Sequence, residues 1–157
     1  MSLKSGDSAP EFAAPTTTGE IFDLKNALKT GPVVIFFYPK AFTPGCTAQS
    51  CRFRDLNSEF DELNATVVGV SGDDQESQER FGSKHGFGFD LLVDPDSEVS
   101  RLYGTKRIGL RFPRRVTFAI GRDGKIIDIV RSETNMEAHA DGALAALRDH
   151  SEDPARG

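Results

Sequence analysis

The chain has no tryptophan and only two cysteines, two methionines and two tyrosines. Two cysteines are too few for the disulfide framework of a small secreted domain, so if the thiols matter they matter as chemistry. No stretch approaches the ~20 apolar residues that span a bilayer, and the opening MSLKSGDSAPEF lacks an apolar core of signal-peptide length. A cytoplasmic protein with no membrane partner is expected. Positive charge is also scarce, with 19 Lys and Arg against 24 Asp and Glu and a net charge of −5. That balance argues against nucleic acid as a partner, because phosphate binding needs a clustered positive field. The three histidines, His85, His139 and His150, lie far apart in or near polar helical segments, and surface positions are expected for them. Gly86, Gly88 and Gly104 form no phosphate-binding pattern, and Asp73 and Asp74 read as a helix cap, so neither cofactor nor metal is expected.

What the chain does have is length, 157 residues, and 12 phenylalanines. That length suits one domain over residues 1–157, burying about two-thirds of the surface of its unfolded form. The core is expected over about residues 5–148, with a frayed tail at 151–157. Residues 11–14 and 21–24 read as a hairpin around a polar turn. The run VVIFFY (33–38) is continuously apolar and rich in β-formers, the mark of a strand buried on both faces. Residues 43–63 read as helix, with Phe53, Leu56, Phe60 and Leu63 at three- and four-residue spacing. A second buried strand follows at 66–70, then a helix capped by Asp73 or Asp74 and ending near His85. A short strand at 90–93 and helical turns at 97–103 come next. Two strands at 115–120 and 125–130 flank the hairpin signal Arg122-Asp123-Gly124. A last helix, 136–150, puts Ala140, Leu144 and Leu147 on one face. This order predicts an α/β protein with a thioredoxin-like fold: a central mixed β-sheet flanked by helices, with an N-terminal β-hairpin.

The stretch YPKAFTPGCTAQSC (38–51) carries the chemistry. A buried strand ends, a short loop follows, and Cys46 falls at the start of a helix. First-turn amide N–H groups have no intrahelical partner, and the helix dipole favours negative charge there. Such a position favours the thiolate, the nucleophilic form of cysteine. Thr43, three residues earlier, can place a hydroxyl beside the sulfur or its substrate. Pro44 and Gly45 shape the turn and let the backbone approach a small substrate, and Pro39 can shield the sulfur from bulk water.

The segment PKAFTPGCTAQSCRFRD closely resembles the active-site segment of the peroxiredoxins, and among them the peroxiredoxin Q or bacterioferritin comigratory protein type. The resemblance extends to GDSAPEF, VVIFFYPK, VVGVSGD and RVTFAIGRDGKI, covering roughly residues 5–148. It implies a thiol peroxidase acting on hydrogen peroxide and organic hydroperoxides. Cys46 would attack the peroxide and become a sulfenic acid, with Thr43, Pro39 and Gly45 around the substrate. Arg115, in R-V-T-F, would support the thiolate and polarise the peroxide. Arg114 is next to it, but neighbours on a strand face opposite ways, and Arg115 keeps the R-x-T-F spacing. Many relatives carry Glu where this chain has Gln49, and an amide can still hydrogen-bond. The resemblance also implies a monomer recycled by thioredoxin or a similar dithiol.

Cys51 matches the resolving cysteine of relatives that keep both thiols on one helix. Five residues along an α-helix separate Cα atoms by about 8–9 Å, whereas a disulfide needs less than about 7 Å. A Cys46–Cys51 bond therefore requires the first turns of the helix to unwind. Two other classes compete: a soft-metal chaperone using both thiols and a histidine, and a redox sensor that forms the same disulfide without turnover. The basic segment 105–115, with Lys106, Arg107 and Arg111, reads as a loop that can rim the site, and Phe42, Leu110 and Phe112 as a possible apolar entrance.

Overall fold

The computed structural model describes residues 3–39, 44–94, 96–105, 114–132 and 135–151. The elements run β1 (Ala13–Pro15), β2 (Ile21–Asp23), α1 (Leu24–Ala27), β3 (Val33–Phe37), α2 (Pro44–Asp55), α3 (Asn57–Glu62), β4 (Thr66–Ser71), α4 (Gln75–His85), β5 (Asp90–Val93), α5 (Glu98–Leu102), β6 (Val116–Ile120), β7 (Ile126–Arg131) and α6 (Met136–Ser151). β1 and β2 form the N-terminal antiparallel pair, and the other five strands form one mixed sheet in the order β5-β4-β3-β6-β7. The expected α/β architecture and hairpin are present.

β3 lies at the centre, parallel to β4 and antiparallel to β6. Its five residues VVIFF are all fully buried, which is why that stretch of sequence shows no polar alternation. Val34, Phe36 and Tyr38 point into one core with Phe53 of α2, Phe60 of α3, Phe81 of α4, and Ala140 and Leu144 of α6. Val33, Ile35 and Phe37 point into a second core with Phe22, Leu24 of α1, Val99 of α5 and Tyr103.

The expected helix over 43–63 is two helices. Leu56 adopts φ −96°, ψ 8° between α2 and α3, so the axis breaks there while Phe53 and Phe60 still reach the same core. The apolar spacing survives the break, and so the break leaves no trace in that pattern. The single turn of α1, capped by Asp23, which accepts from the Asn26 N–H, was also not legible in the sequence. Asp74, not Asp73, caps α4, accepting from the Ser77 N–H at 2.9 Å. Asp73 instead accepts from the Ser71 hydroxyl at 2.7 Å. Gly86 ends α4 with φ 57°, the left-handed cap that glycine adopts without steric cost.

The pairing also fixes one edge of the sheet. Phe37, the last residue of β3, lies opposite Val70 on one side and Val116, the first residue of β6, on the other. The C-terminal end of β3 and the N-terminal end of β6 thus open on the same edge, where α2 begins.

Candidate active site

Cys46 is the third residue of α2 and is fully buried. Cys46, Gln49, Ser50 and Phe53 form the buried stripe of that helix, the spacing that 3.6 residues per turn places on one face. Arg115, immediately before β6, reaches this stripe from the neighbouring strand end and is itself only 7% exposed. Its Nη1 donates to Cys46 Sγ at 3.4 Å and to Gln49 Oε1 at 2.6 Å. Arg114, the residue before it, is exposed. Gly45 lets the cluster close: a Cβ there would lie 3.2 Å from Arg115 Nη2 and 3.2 Å from Met136 Cε. The sulfur thus sits at the N-terminal end of a helix and faces a buried guanidinium.

Cys51 lies on the same helix, half-buried, and both thiols are free. It packs against the edge of the core holding Cys46 but faces the C-terminal end of α4. There its Sγ is 3.9 Å from Nδ1 of His85. Two arginines flank it on α2. Arg52 pairs with Asp141 of α6 at 2.9 Å, and Arg54 donates to the His85 carbonyl at 3.0 Å.

With this geometry in place, comparison with known proteins gives a consistent result. The profile of the AhpC/TSA family matches residues 5–129. The chain belongs to the AhpC/TSA family. A crystal structure of peroxidoxin BcpB from Mycobacterium tuberculosis is 45% identical, with a TM-score of 0.89, covering 94% of this chain and 97% of that one. Peroxiredoxin Bcp of Bacillus subtilis is 35% identical over 97% of this chain and 99% of its own length. A structure of the Xanthomonas campestris bacterioferritin comigratory protein, determined in connection with its alkyl peroxide reduction activity, is 31% identical with a TM-score of 0.81, covering 90% of this chain and 92% of that one. The chain is a peroxiredoxin of the bacterioferritin comigratory type.

In this peroxiredoxin the structure brings together three residues that the sequence singled out, Cys46, Arg115 and Gly45. Cys51 is on the same helix but apart from them. Pro39 is half-buried just beyond β3. Thr43 lies outside the described residues, as do Phe42, Lys106, Arg107, Leu110, Arg111 and Phe112. A cavity of about 280 Å³ is lined by Tyr103, Thr105, Arg114, Arg115, Phe118 and Arg131 among others. Arg115 is thus shared between this cavity and the contact with Cys46.

The expectation for the histidines is corrected. His139 is fully buried. Its Nε2 donates to the Ser132 carbonyl at 2.7 Å, and its Nδ1 is hydrogen-bonded to the Thr117 hydroxyl at 2.8 Å. Thr117 lies two residues beyond Arg115 on the same face, so His139 ties α6 to the strand that carries the arginine. His85 is half-buried against Cys51, and His150 is half-buried too. The signal was available: His139 sits four residues before Ala143 and eight before Leu147, on the apolar stripe of α6, and His85 sits four after Phe81 on α4.

Behind β3, Tyr38 is fully buried and its hydroxyl donates to Gln78 Oε1. Gln78 in turn donates to the Leu92 carbonyl at 2.9 Å. Burial pushes the Tyr38 phenol well above its ordinary value, which keeps it neutral and a donor. Among the described residues no three His, Cys, Asp or Glu side chains form a group able to hold a metal ion, and no helix is long and apolar enough to cross a membrane.

Proposed function

We propose that this chain is a dithiol-dependent peroxidase of the two-cysteine kind, acting on hydrogen peroxide and organic hydroperoxides. The observation that carries the reading is the buried guanidinium of Arg115, 3.4 Å from Cys46 Sγ at the start of α2. The Cys46 thiolate attacks the terminal oxygen of ROOH; the O–O bond breaks, the sulfur is oxidised to sulfenic acid and RO⁻ leaves to take up a proton as ROH. Arg115, with Nη1 already aimed at the sulfur, stabilises the charge that moves onto the leaving oxygen. Thr43, Pro39 and Gly45 complete the substrate's surroundings. Cys51 then attacks the sulfenic sulfur, closing a Cys46–Cys51 disulfide and releasing water. An external dithiol, thioredoxin or a protein like it, reduces that bond by thiol–disulfide exchange. The protein works as a monomer in the cytoplasm, where both thiols start free.

Single-turnover stopped-flow mixing of the reduced protein with hydrogen peroxide tests this, with free thiols counted before and after. Fast loss of both thiols is expected, abolished in Cys46→Ser and stopping at a trappable sulfenate in Cys51→Ser. Oxidation of all three proteins at the rate of a free cysteine would refute the reading.

A further inference from the structure

On the reading that Cys51 resolves the Cys46 sulfenate, we propose that His85 is a positioning residue that latches Cys51 into folded α2 and so sets how long the sulfenate survives. The contact is specific. His85 Nδ1 is the atom 3.9 Å from Cys51 Sγ, a separation within reach of a hydrogen bond to sulfur. The ring is held on both sides, edge-on to Phe81 with centroids 5.3 Å apart and stacked on Phe87 at 5.4 Å. Its own main chain is tied to α2, because Arg54 donates to the His85 carbonyl. The imidazole is therefore not a passing neighbour but a fixed point at the C-terminal end of α4, which Cys51 and Arg54 of α2 both reach.

The geometry of the chemistry gives this contact its consequence. In the helix, Cys46 and Cys51 are about 8–9 Å apart at Cα, and Cys51 faces α4 rather than Cys46. Resolution requires Cys51 to leave His85, and α2 to unwind, before the two sulfurs can meet. Each interaction present only in the folded helix lowers the population of the unwound form and slows the disulfide by the same factor. With its proton on Nε2, a neutral imidazole accepts from the thiol at Nδ1, and that bond is lost in unwinding. The step itself is unchanged: Cys51 thiol and Cys46 sulfenic acid give a disulfide and water. What the latch adds is time, during which a second peroxide can carry the sulfenate to sulfinic acid.

The test uses the full reduced chain and three readouts: sulfenate formation, disulfide closure, and the peroxide concentration that drives half of Cys46 to sulfinate, followed by mass spectrometry. His85→Phe keeps a ring between Phe81 and Phe87 and removes the nitrogen. His85→Asn places an amide near the position of Nδ1 and serves as the conservative rescue. His85→Leu stands in should Phe fit poorly, with circular dichroism reporting the fold of each. The expected result is disulfide closure about three- to tenfold faster in His85→Phe, the factor set by one hydrogen bond of ordinary net strength. Half-oxidation to sulfinate should then need correspondingly more peroxide. Sulfenate formation should be unaltered, and His85→Asn should lie close to the wild type. Unchanged closure in His85→Phe would overturn the latch, and so would slower closure, which would instead make His85 a base for the Cys51 thiol. Failure of the underlying reading is separately visible, because wild type itself would then lose no second thiol after forming sulfenate.

Discussion

Gln49 Oε1 lies 2.6 Å from Nη1 of Arg115, the same nitrogen that faces the sulfur of Cys46 at 3.4 Å. One donor group thus serves both an amide and the thiol, and the amide fixes where the guanidinium plane sits. An amide oxygen orients the arginine with no negative charge of its own beside the sulfur.

Arg115→Lys keeps the charge but loses the planar fork that meets two acceptors at once. The second-order rate of Cys46 oxidation by hydrogen peroxide should fall by about two to three orders of magnitude, the cost of removing one preorganised donor from a reacting centre. Arg114→Lys, at an exposed position outside the site, should leave that rate unaltered. Stopped-flow on both variants checks the pair.

Gln49→Leu removes the acceptor and keeps the volume. Gln49 Nε2 is buried with no hydrogen-bond partner among the described residues, so the leucine also relieves an unmet donor. A buried polar group left unmet costs about 1–3 kcal/mol, which offsets the lost bond to Arg115. Oxidation by peroxide should slow roughly tenfold, one mis-set hydrogen bond at the reacting centre, while urea unfolding shows stability within about 1 kcal/mol of wild type.

Phe53 is fully buried and stacks on Phe36 with ring centroids 4.3 Å apart. It anchors α2 two residues beyond Cys51. Phe53→Ala should cost about 3–5 kcal/mol, the transfer and cavity terms together, read as a lower urea midpoint at unchanged m-value.

His85 gives a pH dependence with a definite sign. Burial first, then the charges of Lys84 and Arg54, hold its imidazole below the ordinary value of 6.5. The unfolded chain then binds this proton more readily than the folded one. The contribution to stability is complete above about pH 6.5 and is lost as the pH falls through the lowered folded-state value. Wild type should lose more stability than His85→Phe as the pH is taken from neutrality to about 5, with urea midpoints as the measure. Parallel losses in the two proteins would contradict it.

Most of the fold was legible because its signals are local. The unbroken run at 33–37, the Asp-Gly turn before β7 and the acidic cap of α4 each act within a few residues. The helix start at Cys46 belongs with them, since Pro44 is preorganised for a first helical turn. The break at Leu56 was not legible, because an apolar spacing that serves one long helix serves two short ones packed on the same core.

The sequence by itself determined that a cysteine would stand at a helix N-terminus behind a buried strand, with a second cysteine too far along that helix to bond with it. The resemblance, through its R-x-T-F spacing, also pointed to Arg115 rather than Arg114. Only the tertiary structure decided which other groups meet the thiols. Arg115 and Cys46 are 69 residues apart, and Cys51 and His85 are 34 apart. The pairing of β3 with β6 and the approach of α2 to the end of α4 set those encounters, and both depend on packing that no local pattern encodes. The same reason explains His139: a histidine that looks polar in sequence is buried once its helix register turns it toward Thr117 and the Ser132 carbonyl.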